Sequence, residues 1–241
     1  NAIQNTKIMA PPTDCLSPIG EELMEKSLKK EINAEFYCAI TRPVFVYRGN
    51  PFQIEIGIAY GGDQPKEEQV NMLRFANRVP MLYQQGACAF TKSIMTTAWK
   101  PYGLQQSQNS LPVGPATILL HIASVWVPFT SESKEALTHY PDIIKEIKLA
   151  LQEAGRKMQA YVNKKFRVQG QLERANMFDN YIPEVAESLS KLTGDNKEML
   201  LKKLKEMIKK EHIQEVIHQM ESLKGEVEED TKLADKSGDE D

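Results

Sequence analysis

Cysteine is scarce in this chain. Its three cysteines, Cys15, Cys38 and Cys88, lie far apart, with no CxxC pair and no histidine at ligand spacing. That excludes a disulfide framework and a zinc site, and it fits a reducing compartment. Histidine is nearly as rare, with four residues, and His212 and His218 are too far apart to share a helix face as an HExxH pair does. There is no GxGxxG, no GxxxxGK[ST] loop and no GxSxG. No pair of carboxylates stands out from ordinary helix-surface acids. No apolar run approaches the ~20 residues needed to span a bilayer. A complete active site is therefore not expected within these residues.

Charge of one sign is also lacking overall. The net charge is −3, so no global basic field draws the chain to nucleic acid. The average conceals segregation, because residues 197–210 (KEMLLKKLKEMIKK) are basic and residues 226–241 (EVEEDTKLADKSGDED) are acidic. The bland account of this end is a solvated helix and a solubilising tail without hydrophobes. A basic helix touching DNA is the sharper one. The chain opens NAIQNTKIMA without methionine, and no secretory signal is visible; it is expected to be the C-terminal part of a larger protein.

What is present is an α+β pattern with a 41% apolar fraction, ample for a core. SPIGEELMEKSLKKE offers Ser17 as a helix cap and Pro18 at the first helical position, ending near Asn33. EFYCAIT and VFVYRG read as strands interrupted by Pro43. FQIEIGIAY alternates, with Phe52, Ile54, Ile56 and Ile58 on one face and Gln53, Glu55, Gly57 and Ala59 on a wet one. VNMLRFANRVPML reads as one more strand, and GACAFTKSIMTTAW as a short helix. ATILLHIASVWV is nearly all apolar, as in a central strand covered on both sides, with His121 a satisfied core histidine rather than a ligand. A long helix starts at Pro141, with Gly170 a weak point. A second starts at YIPEVAESLSKLTG, with Pro183 in its first turn and Gly194 at its end. A third covers Asn196 to Leu223.

Two stretches carry unusual chemistry. In WKPYGL, Trp99 and Tyr102 flank Lys100; a lysine can meet phosphate while aromatic rings pack on sugars or bases. The competing account makes Trp99 and Tyr102 apolar pegs that close the loop onto the sheet. In PFTSESKEAL, Thr130, Ser131 and Ser133 can cap a helical turn. A cation there opposes the helix dipole, so Lys134 is slightly misplaced unless an anion binds. The competing account is a solvated lysine paired with Glu132 or Glu135.

These stretches, together with MAPPTDCLSPIGEEL, RFANRVPMLYQQGACAFTKSI and LALQEAGRKMQAYV, resemble the B-subunit family of archaeal-type DNA topoisomerase VI, a type IIB topoisomerase. The resemblance covers roughly residues 1–165 closely and YIPEVAESLSKLTG more loosely. It implies an open mixed sheet with helices on one face, a ribosomal-protein-S-five-domain-two-like transducer with a left-handed β-α-β crossover, followed by a long helical stalk. That handedness runs against the usual rule and could not be read from composition. On this resemblance residues 1–30 are the end of a helix-two-turn-helix insert and a joint. Residues 31–167 are the transducer with its exit helix. Residues 168–224 form a helical extension, whose helices from 181 dock on the A subunit, and 225–241 are a disordered acidic tail. The ATPase domain lies outside these residues.

The resemblance also assigns roles. Lys134 matches a switch lysine that reaches the γ-phosphate of ATP, bound with Mg2+ mainly by that ATPase domain. WKPY matches a Trp-Lys-any-Tyr motif associated with DNA, which gives Trp99, Lys100 and Tyr102 as DNA-binding residues. The implied partners are the A subunit, a second B subunit and double-stranded DNA, with no membrane and a cytoplasmic, nucleoid-associated location. The cleaving tyrosine belongs to the A subunit, so Tyr102 and Tyr161 are not candidates, and no catalytic or metal residue is expected here. The implied activity is ATP-dependent strand passage through a transient double-strand break, with this part sensing nucleotide state. The alternative function is a non-catalytic interaction scaffold. An unrelated small-molecule enzyme would require a self-sufficient pocket.

Overall fold

The computed structural model describes residues 13–207. The described residues form two compact units that divide between Val162 and Asn163. In the first unit six strands form one mixed sheet: β1 (Phe36–Thr41), β2 (Phe45–Tyr47), β3 (Asn50–Tyr60), β4 (Asn71–Ala76), β5 (Val79–Pro80) and β6 (Ala116–Ser124). The spatial order is β1-β3-β6-β4-β5, with β2 also on β3. Strand β6 runs antiparallel to β3 and parallel to β4. All nine residues of β6 are buried, as expected of a central strand covered on both faces.

Three helices cover this sheet: α1 (Glu21–Glu31), α2 (Ala89–Thr96) and the first turns of α3 (Pro141–Thr193). On one face Ile54, Ile56 and Ile58 stand opposite Ile122, Leu120 and Ile118. These pack with Phe90 and Ile94 of α2 and with Ile143, Ile147, Leu151 and Met158 of α3. The i, i+4, i+8 spacing on α3 is what aligns those side chains in one stripe.

The other face of β3 is not wet, contrary to the alternation. Glu55 and Ala59 are fully buried, and α1 lies over this face, with Met24 and Leu28 packed beside Ala39 and Leu119. Gly57 permits the approach, since a Cβ there would stand 2.8 Å from Leu28 Cδ1 and 3.0 Å from Met24 Sδ. Neither Ser17 nor Pro18 starts α1. The helix begins at Glu21 after Gly20 and has no side-chain cap of its own. The Glu55 carboxylate accepts the Ile19 and Gly20 N–H groups instead, both at 2.7 Å.

Residues 70–82 are not one strand either. Asn77 and Arg78 adopt φ of 47° and 66°, the two left-handed residues of a tight hairpin turn, and β5 folds back on β4.

Helix α3 is continuous for 53 residues, through Gly170 and with Pro183 inside it. A single glycine costs a helix only about 1 kcal/mol relative to alanine, so it is a weak stop. The end at Gly194 is as expected, with φ 76° and its N–H bonded to Ser190 O. In the second unit residues 197–207 are again helical. Glu187 accepts from Lys197 at 2.8 Å and Lys191 at 3.0 Å, and these two lysines hold its pKa down at about 2. The rest of the expected third helix, the end of the basic run and the acidic tail lie outside the described residues.

Candidate functional site

Strand β6 ends at Ser124, and α3 starts at Pro141. The segment between them carries Lys134. No helical turn forms at SKEAL; residues 130–136 close as a loop. Phe129 and Leu137 bridge antiparallel at its base, and Thr130 N–H reaches Ala136 O at 2.9 Å. Burial of Ala136 and Leu137 overrides the local helix signal, because both side chains are fully inside the core.

Lys134 itself is exposed, at φ 56°. The left-handed region is uncommon for a residue with a Cβ. Its N–H donates to Ser131 O at 3.2 Å. The Ser131 and Ser133 hydroxyls share a hydrogen bond of 2.7 Å. Among the described residues, neither Glu132 nor Glu135 forms an ion pair with Lys134. The base of the loop is thus held by backbone hydrogen bonds, and the ammonium near its tip is unpaired among the described residues.

The WKPY turn has a different character. Trp99 is fully buried, and its Nε1 donates to Ile94 O at 2.9 Å. Tyr102 meets it edge to face at 5.9 Å and lies against Gly155 of α3, where a Cβ would come within 2.6 Å of the tyrosine ring. Lys100 is exposed between them. Trp99 has no free ring face to offer a base here. The two aromatics are pegs, and what they support is the placement of Lys100. The structure does not bring Lys100 and Lys134 into one site: Lys100 follows the C-terminal end of α2, whereas the base of the Lys134 loop is bonded to its N-terminal end.

Sequence reasoning missed two features. One is a groove of about 610 Å³ between α2 and α3, lined by Lys92, His139, Lys145 and Lys148 over Ile144 and Leu149, with no acid in its lining. Helical spacing could have placed Lys145 and Lys148 together, but not Lys92. The other is the polar cluster at Glu55. His121 Nδ1 lies 2.7 Å from Glu55 Oε2, and the Thr41 hydroxyl donates to Oε1 at 3.0 Å. Arg78 N–H donates to His121 Nε2 at 3.0 Å, so the ring proton sits on Nδ1 and points at the carboxylate. Burial pushes the Glu55 pKa up, but hydrogen bonds from His121, Ile19 and Gly20 outweigh it and hold the carboxyl below its ordinary value. Glu55 and His121 are both wholly inaccessible to solvent. A carboxylate–histidine pair with every atom satisfied internally is a structural clamp, in keeping with a satisfied core histidine.

Other titratable groups are poorly suited to chemistry. Burial pushes the Cys38 thiol up to about 12. Burial and then Glu35 push the Tyr161 hydroxyl to about 12, where it donates to that carboxylate at 3.2 Å. Among the described residues no group of three metal-ligating side chains assembles, and no helix is long and apolar enough to cross a membrane.

The first unit is thus an α+β domain whose central strand leads into an exposed loop bearing Lys134 and then into a long exit helix. The family model for the topoisomerase VI B subunit, transducer, matches residues 11–174, and the chain belongs to that family. It is 49% identical over 185 residues to the B subunit of type 2 DNA topoisomerase 6 from Methanosarcina acetivorans, a match that covers 77% of this chain and 30% of that protein. The corresponding protein of Archaeoglobus fulgidus is 46% identical over 192 residues, covering 80% of this chain and 32% of that protein. That of Pyrococcus furiosus is 42% identical over 200 residues, covering 83% and 34%. The chain therefore spans about a third of the length of these relatives.

Proposed function

We propose that this chain is the nucleotide-sensing and force-transmitting part of an ATP-dependent type II DNA topoisomerase, which relaxes and decatenates DNA by passing one duplex through a transient double-strand break in another. Lys134 carries the proposal. An exposed, unpaired ammonium on a loop with a fixed base suits the terminal phosphate of a nucleotide held by another domain. The residues present fit that single contact and no more. Nothing among the described residues would hold Mg2+ or a base, so ATP and Mg2+ would be bound mainly elsewhere.

In this scheme ATP supplies the γ-phosphate whose presence or loss distinguishes two states. Lys134 pairs with it while it is present and is released when it is gone. The loop base passes that change to β6 on one side and to α3 on the other. Helix α3 would carry the change toward the A subunit, which would hold the cleaving tyrosine. Closure of two B subunits would be the ATP-dependent step. Lys100 and the lysines of the α2–α3 groove supply cations suited to the phosphates of double-stranded DNA. The cytoplasmic, nucleoid-associated location follows from this activity.

The test is Lys134→Ala in the complete two-subunit enzyme. ATP hydrolysis and strand passage should both fall, and wild-type levels of both would overturn the switch role in favour of a non-catalytic scaffold. For DNA, Lys100→Ala should flatten the salt dependence of duplex affinity by about one unit of log–log slope. An unchanged slope would remove Lys100 from the interface.

A further inference from the structure

The base of the Lys134 loop is fastened to one place in particular. Three residues beyond Lys134, Leu137 uses both of its backbone polar groups on the start of α2. Its carbonyl accepts Ala89 N–H at 3.0 Å, and its own N–H donates to Cys88 Sγ at 3.5 Å. The Ala89 N–H is one of the helix-terminal donors that lack an intrahelical partner, and the loop supplies the acceptor. Cys88, Ala89, Ala136 and Leu137 are all fully buried. Above this clasp Thr130 N–H bonds Ala136 O at 2.9 Å and Thr138 N–H bonds Pro128 O at 2.8 Å. The height and direction of residues 130–136 are thus set by a contact between residues 49 positions apart in sequence. Cys88 precedes α2 and packs in the core, yet its side chain makes no capping bond to that helix.

We propose that Cys88 and Leu137 form a clasp that positions Lys134 for its phosphate contact. This rests on the reading of Lys134 as a γ-phosphate ligand. The clasp also ties the loop to a helix of eight residues, beyond whose far end lies the turn bearing Lys100. A buried Leu137 N–H without its sulfur acceptor must find another partner, and the loop is the part free to shift.

The experiment uses the complete enzyme with Cys88→Val, which keeps apolar bulk without an acceptor, and Cys88→Ser, which restores an acceptor. With the valine, KM for ATP should rise about tenfold, while affinity for ADP, which lacks the γ-phosphate, stays as in the wild type. The serine should bring KM for ATP back toward the wild-type value. If the valine variant does not fold, Cys88→Ala removes the same acceptor without added bulk and carries the same expectation. Equal weakening of ATP and ADP would mean general damage and overturn the clasp. So would wild-type ATP kinetics in the valine variant when Lys134→Ala is impaired. If Lys134→Ala is itself unimpaired, the Lys134 reading fails first, and that result is separate from anything seen at Cys88.

Discussion

Two polar sites in this molecule invite a functional reading, and they differ in one respect. Glu55 and His121 form a short, buried carboxylate–histidine pair of the kind found in catalytic sites, and every polar atom of the pair finds a partner inside the protein. Lys134 is a single exposed lysine on a loop, and its ammonium finds no carboxylate among the described residues. The first site has committed all its interactions to the fold. The second has kept one in reserve. Satisfaction rather than residue type separates a clamp from a contact.

That contrast can be broken first at the clamp. Glu55→Ala would leave two backbone N–H groups, a hydroxyl and a histidine without their shared acceptor. It should destabilise the first unit by about 3–5 kcal/mol, since each buried donor left without an acceptor costs about 1–3 kcal/mol and some of them can shift to new partners. Chemical denaturation of wild type and variant measures this, and a change below about 1 kcal/mol would mean water replaces the carboxylate. The clamp also predicts a pH dependence. Because the folded Glu55 pKa lies below its ordinary value, its contribution is complete above the ordinary glutamate range. It is lost as pH falls from there through the depressed folded value. Glu55→Gln should remove that part of the acid sensitivity, which denaturation midpoints against pH would reveal.

Trp99 tests the same distinction at the WKPY turn. As a buried peg, Trp99→Ala should cost about 3–5 kcal/mol, while Trp99→Phe, folded and stable, should bind duplex DNA as the wild type does. A loss of DNA affinity in the phenylalanine variant without loss of stability would make Trp99 a direct contact after all. A smaller effect belongs to Gly57→Ala. Its methyl group would press on Leu28 and Met24 and cost about 1–3 kcal/mol by overpacking, read from the thermal midpoint.

The smallest effect belongs to the loop. Lys134→Gly removes a Cβ from a left-handed backbone and should change stability by at most about 1 kcal/mol, in the stabilising direction. Function should nevertheless be lost as in Lys134→Ala. A variant that is no less stable yet inactive is the opposite of the outcome at Glu55.

Much of this was legible from the residues alone. The unbroken apolar run of ATILLHIAS announced a strand buried on both faces, because few polar side chains interrupt it with a demand for water. The repeat of Ile143, Ile147, Leu151, Ala154 and Met158 announced the first part of α3, and Gly194 the end of what read as a second helix but is the same one. The family motifs singled out Lys134 and the WKPY turn. What could not be read was anything decided across the chain. The alternation of β3 gave its second face to solvent, because α1 and the opening at Gly57 are invisible to a strand read by itself. Ser17 and Pro18 looked like a helix start, but the acceptor for that helix came from Glu55, more than thirty residues on. The hydroxyls of TSES looked like a cap, yet Leu137 had a deeper place to go. Local pattern governs which stretches become strands or helices, since that depends on neighbours a few bonds away. Which polar group satisfies which, and which is left over, depends on groups brought together only when the sheet closes. The spare cation of Lys134 is a property of that closure.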